Sequence, residues 1–175
     1  MGKVVVKKYV DALLSEVKTE DIEKYYSTFS GMADVFESSK SKLLFTTDII
    51  SKEEQESILL ETVKELNDER LNNFLKILLE KKRVLLIPSI AEEIRLRIAY
   101  ANNKFSGKIY SSESISPADV DAIAKNLSTD KQITLSFEKT DFDGIKIEVV
   151  DLNLEVTLSK DRIKSALVDH ILQAI

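Results

Sequence analysis

Residues 71–105 read LNNFLKILLEKKRVLLIPSIAEEIRLRIAYANNKF, and how this stretch is parsed decides the fold. Leu71, Phe74, Leu75, Leu78 and Leu79 recur at spacings of three and four, which is one face of a helix. Ile77 stands off that face. A helix that is apolar on more than one side must be covered on more than one side. It therefore lies centrally in a bundle or leaves a groove open for a partner. Glu80-Lys81-Lys82-Arg83 forms a charged corner, and Val84-Leu85-Leu86-Ile87-Pro88 opens the next element. Proline suits a first helical turn, where its missing N–H goes unneeded. Ile87, Ile90, Ala91, Ile94, Ile98, Ala101 and Phe105 then keep helical spacing to the end of the stretch.

Upstream, Val6, Tyr9, Val10, Leu13 and Val17 make a helical face over residues 4–17, although the Val4-Val5-Val6 run favours strand locally. Thr19 is a candidate cap for a second helix, whose inward face is Ile22, Tyr25, Tyr26, Phe29, Ala33 and Phe36. Gly31 inside that span costs about 1 kcal/mol relative to alanine. Residues 38–48 predict a short helix and a loop around Leu43, Leu44 and Phe45. Ser51 and Glu54 fit a capping box, opening a fourth helix with Ile58, Leu59, Thr62, Val63 and Leu66 inward. Residues 4–105 thus predict five long helices and one short one, packed as an antiparallel bundle.

The pattern changes after Phe105. Ser106-Gly107 is read as the helix break, and residues 108–115 as a strand. Ser116-Pro117-Ala118-Asp119 is a helix start, with Val120, Ile123, Ala124 and Leu127 on the inward stripe. Ile133, Leu135 and Phe137 alternate with polar residues, as do Ile145, Ile147 and Val149, and then Leu152, Leu154, Val156 and Leu158. Asp141–Gly144 is a turn, and the last two runs predict a hairpin. Ser159 caps a final helix carrying Ile163, Ala166, Leu167, Ile171 and Ala174 inward. The fold class is α+β: an amino-terminal six-helix bundle over residues 1–105, then a small α/β domain of order β-α-β-β-β-α over residues 106–175.

Composition narrows the function. The chain has 175 residues, 43% of them hydrophobic and 31% charged, and so predicts a soluble globular protein. A net charge of −5 argues against bulk attraction to nucleic acid or anionic lipid. No apolar run approaches the roughly 20 residues needed to span a bilayer, so no direct membrane insertion is expected. Lys7, Lys8 and Asp11 interrupt any signal-peptide core, and a cytoplasmic protein is expected.

The chemistry search returns no catalytic, cofactor-binding or metal site. Cysteine is absent, which excludes disulfides and thiolate metal sites. The chain has four glycines and no phosphate-cradling glycine loop. His170 is the one histidine; it has no partner in the sequence and reads as structural. Asp141 and Asp143 read as a solvated turn, because Lys146 and Glu148 do not complete a calcium loop. Lys81-Lys82-Arg83 reads as a helix carboxy terminus balancing its dipole. What remains is surface for proteins. Tyr9, Leu13, Phe74 and Leu78 either line a groove for an amphipathic helix or belong to a closed core.

The segment FLKILLEKKRVLLIP resembles the delta subunit family of the F-type rotary ATP synthase, whose mitochondrial counterpart is the oligomycin-sensitivity-conferring protein. KKYVDALL, with Tyr9 and Leu13, is similar to the family's opening helix, and Val156 to Leu167 to its last strand and helix. Glu155 and Thr157 stand where the family has aspartate and serine. The resemblance implies a non-catalytic stator subunit without cofactors, at the cytoplasmic face of the plasma membrane. The six-helix domain would receive the amino-terminal helix of an alpha subunit of the catalytic head between its first and fifth helices, at Tyr9, Leu13, Phe74 and Leu78. The small domain would hold the b subunits of the peripheral stalk. A free-standing helical adaptor or regulator with an unrelated partner is the alternative reading; an enzyme is the third.

Overall fold

Helix α1 (Gly2–Leu14) forms despite its three consecutive valines, because Val6, Val10 and Leu13 are buried together on one helical stripe. A computed structural model describes residues 2–161 of the chain, except 19, 20 and 48. The Thr19 cap, the final helix and His170 lie outside the described residues. Among the described residues the chain is α+β, with seven α-helices and a four-stranded sheet. It divides into two units, residues 1–98 and 99–175.

In the first unit α1 is followed by α2 (Ile22–Glu37), α3 (Ser39–Thr46), α4 (Lys52–Glu61), α5 (Glu69–Glu80) and α6 (Ile87–Asn102). The capping box at α4 closes as expected: Ser51 Oγ accepts from Glu54 N at 3.2 Å, and Glu54 Oε2 accepts from Ser51 N at 2.8 Å. Leu59 and Val63 face the core, whereas Ile58, inside α4 but off the buried stripe of Gln55 and Leu59, is exposed. Thr62 and Leu66, also expected inward, are exposed because α4 stops at Glu61 and a 3-10 turn over Lys64–Leu66 changes the period. Gln55 is buried, its Nε2 donating to Leu44 O at 2.9 Å.

The start of α5 is fixed by Asp68, whose Oδ1 accepts from Arg70 N at 2.9 Å. Its end is a Schellman turn. Arg83 N donates to Leu78 O at 2.7 Å, Lys82 N donates to Leu79 O at 2.9 Å, and Lys82 takes φ 54° where glycine is usual. The basic corner is therefore the α5 cap. Between these ends Leu71, Phe74, Leu75 and Leu78 are buried among Val10, Leu13, Phe29, Ile87, Ile90 and Ile94.

Helix α6 stops at Asn102, earlier than its apolar spacing suggests. Asn103 breaks it with φ 55°, a conformation asparagine tolerates, and Ser106-Gly107 does not. Strand β1 (Lys104–Ser111) accordingly begins four residues before the expected position of 108. Phe105 is not the last rung of a helix but a buried strand residue of the second unit. Gly107 lies inside β1 because a Cβ there would stand 2.6 Å from Glu148 O and 2.7 Å from Val149 Cγ2.

The second unit continues with α7 (Pro117–Leu127), β2 (Gln132–Lys139), β3 (Gly144–Val149) and β4 (Leu154–Ser159). The sheet order is β2-β1-β3-β4, with β1 and β2 parallel across α7 and β3 and β4 an antiparallel hairpin. One sheet face is apolar, with Phe105, Ile109, Leu135, Ile147 and Val149 buried and Val120 and Ala124 of α7 packed among them. The other face carries charge: Lys108 meets Glu138 at 2.8 Å, and Lys146 meets Glu148 at 2.5 Å and Glu155 at 3.6 Å.

Candidate functional site

Contacts between α1 and α5 set both the direction and the facing stripes of the pair. Tyr9 meets Phe74 edge-to-face with ring centroids 5.9 Å apart. Toward the end of α1, Glu16 pairs with Arg70 at 3.3 Å. Toward its beginning, Arg83 donates to the Tyr9 hydroxyl at 2.9 Å and lies 5.6 Å above the ring. The two helices therefore run antiparallel. The facing stripes have the same spacing: residues 5, 9, 12 and 16 on one side, and 70, 74, 77 and 81 on the other.

Of the four residues expected at the groove, Tyr9 and Phe74 meet across the helix pair, while Leu13 and Leu78 lie in the core cluster of the unit. Leu13 and Leu78 are core residues at 1% and 0% exposure, and Phe74, at 8%, is wedged between Tyr9 and Phe29. Tyr9 is half-buried. The outer shoulder belongs to other residues. Ile77 is 45% exposed, Ala12 is exposed and Val5 is partly exposed. Ile77 signalled this in the sequence by standing off the main stripe. Leu13 and Leu78 misled because a core position and a groove position share one helical period.

A second apolar hollow of about 290 Å³ lies between α2, α3 and α4, lined among others by Gly31, Met32, Val35, Phe45 and Ile58. Gly31 has no atom within 4 Å of a built Cβ, so its lack of a side chain leaves this hollow open.

Electrostatics elsewhere in the first unit is structural. The Tyr25 hydroxyl donates to Asp68 Oδ2. Burial and that contact push Tyr25 up to about 12. Burial pushes the Asp68 carboxyl up as well, but hydrogen bonds from Tyr25, Arg70 N and Leu71 N outweigh it and hold the group below its ordinary range. In the second unit Asp143 pairs with Lys160 at 3.0 Å, which makes the Asp141–Gly144 turn an ion-paired one. Among the described residues no cluster of three or more His, Cys, Asp or Glu could hold a metal ion, and no helix is long and apolar enough to cross a membrane.

A family model described as ATP synthase delta (OSCP) subunit matches residues 5–167. The chain belongs to that family. Curated relatives called ATP synthase subunit delta include those of Aliarcobacter butzleri and Campylobacter concisus, each 33% identical over 177 aligned positions that cover both chains in full. The Sulfurimonas denitrificans relative is 30% identical with the same coverage. A chain of the Toxoplasma gondii mitochondrial ATP synthase hexamer shares the fold, with a TM-score of 0.60 and 18% identity over 93% of this chain and 97% of that one. As a delta/OSCP subunit, the chain is a non-catalytic structural part of the stator, in the peripheral stalk of a membrane-associated ATP synthase. Family membership sets aside the free-standing adaptor and the enzyme.

Proposed function

We propose that this subunit ties the catalytic head to the peripheral stalk by two separate grips. Residues 1–105, as a six-helix bundle, hold the amino-terminal helix of an alpha subunit on the α1–α5 face. Residues 106–175, as a small α/β domain, hold the b subunits. The assembly works at the cytoplasmic face of the plasma membrane. The subunit carries load without reacting: held against both parts, it stops the head from turning with the rotor, so that torque drives ATP synthesis.

One observation carries the head contact. Tyr9, Ala12 and Ile77 leave an apolar strip on a helix pair that is otherwise closed, and its two ends are charged. An amphipathic helix laid along that strip covers Ile77 and completes the burial of Phe74. Leu13, Phe74 and Leu78 support the seat from beneath.

Titration calorimetry with a peptide spanning the alpha amino terminus tests this reading. Phe74→Asp is a poor probe, because a charge at an 8% exposed position breaks the core as well. Ile77→Asp leaves the fold intact, by circular dichroism, and weakens binding by about tenfold or more. Unchanged affinity in that folded variant removes the assignment. Co-purification of alpha and b subunits with the tagged chain from native membranes tests both grips together.

A further inference from the structure

Gly31 has no local reason to be glycine. It lies inside α2, where glycine costs about 1 kcal/mol relative to alanine. Its φ is not positive, so no left-handed backbone requires it. A Cβ built on it meets nothing within 4 Å, so no close neighbour requires it either. What the missing side chain does is keep open the hollow between α2, α3 and α4. A residue that breaks a local rule with no packing gain marks a functional place.

The walls of this hollow specify a ligand. Met32 and Phe36 of α2 and Leu59 of α4 line it and are buried. Phe45 of α3 packs on Phe36 with centroids 5.0 Å apart and planes tilted by 41°. Aromatic rings and a methionine sulfur both favour contact with a further aromatic ring. Among the described residues no charged side chain lines the hollow, so an ion entering it would lose water and gain no partner. Thr28 and Thr62 supply the polar part. Thr28 Oγ1 donates to Lys24 O at 2.9 Å, and Thr62 Oγ1 donates to Leu59 O at 2.6 Å. With their protons committed to their own helices, both hydroxyls offer an entering molecule acceptors and not donors. The volume of about 290 Å³ sits at the small end of ligand sites, which run from roughly 300 to 1,000 Å³. A single helical turn, about 10 Å across and roughly 5.4 Å long, takes up more.

We propose that the α2–α3–α4 hollow binds a small, uncharged aromatic molecule carrying one N–H or O–H donor. The ring lies over Gly31 against Met32 and Phe45, and the donor reaches a threonine oxygen. Val35 and Ile58, both exposed on the lining, are covered when the hollow fills. None of the lining residues belongs to α1 or α5, so the site is independent of the head contact proposed above. A filled hollow adds contacts among three helices, and the ligand therefore raises the melting temperature of the chain.

Indole is the probe, titrated into the isotope-labelled full chain and followed by NMR. The amides around Gly31, Phe45 and Ile58 shift saturably, with half-saturation on the order of 1 mM. Benzofuran, which keeps the shape and lacks the N–H, binds about threefold more weakly. Indole-3-carboxylate, which adds a charge, binds on the order of tenfold more weakly. Gly31→Leu fills the hollow with its own side chain and weakens indole by about tenfold or more. Gly31→Ala melts higher than the wild type. The proposal is overturned by the absence of saturable shifts at these amides up to roughly 10 mM indole. Undiminished indole binding by a folded Gly31→Leu variant overturns it as well, and so does a lower melting temperature for Gly31→Ala, which would give the glycine a packing role. Displacement of indole by the alpha amino-terminal peptide would make the hollow a protein contact and overturn the small-molecule site, whereas the Ile77→Asp result decides the head contact separately.

Discussion

The two units of this subunit solve the same problem, what to do with a second face, in different ways. In the helical unit α5 turns Leu71, Phe74, Leu75 and Leu78 inward and still presents Ile77 on its outer shoulder. In the sheet unit the second face is not apolar. Glu138, Lys108, Glu148, Lys146 and Glu155 cross all four strands as ion pairs. An apolar shoulder is finished by a partner; an ion-paired face is finished by water. The contrast supports the proposal that the head contact lies on the helices, and it leaves the charged sheet face no apolar surface to cover.

Several substitutions break or sharpen this contrast. The largest effect belongs to Leu78→Ala, at a fully buried position between helices: about 2–5 kcal/mol of stability is lost, read by urea unfolding of the helical signal. Next is Gly107→Ala. The added methyl meets backbone and side-chain atoms closer than 3 Å on three sides, so the sheet unit loses about 1–3 kcal/mol or more. Hydrogen exchange should then quicken in β1 and β3, with the α5 amides unchanged. Asp68→Ala removes the α5 cap and the Tyr25 acceptor, and costs about 1 kcal/mol.

The same aspartate gives a pH signature. Its folded pKa lies below the unfolded value of about 3.9, so its stabilisation is present above that pH and disappears as pH falls through the folded value. Asp68→Asn flattens that acid limb. Tyr25 works in the opposite sense. Raised to about 12, it contributes below its unfolded value of about 10, and the contribution is lost as pH climbs through the folded value. The smallest effect is Lys108→Ala on the charged sheet face, where the unfolding midpoint should stay within experimental error, because exposed pairs contribute little. A large loss there would mean the ion-paired face carries the sheet.

Much of this was readable in the residues. The α5 stripe, the Ser51–Glu54 box, the Ser116–Pro117 start and the alternating strands each rest on local chemistry that neighbours cannot easily override. The helix-to-strand junction was not. Asn103 and Gly107 are both breakers by type. Only the pairing of β1 with β2 and β3 decides that the first ends the helix and the second sits mid-strand.

The candidate site divides in the same way. Spacing put Tyr9 and Leu13 on one helical stripe and Phe74 and Leu78 on another and set Ile77 apart, but period alone cannot rank depth. Depth depends on what packs behind a residue. Phe29 and the α6 isoleucines take Leu13, Leu78 and most of Phe74 into the core and leave Tyr9 and Ile77 outside. The amino-acid order by itself determined most of the elements and the family. The tertiary structure decided which apolar residues are surface, and it brought Tyr9 against Phe74 and Arg83, because an antiparallel helix pair joins ends that the chain keeps distant.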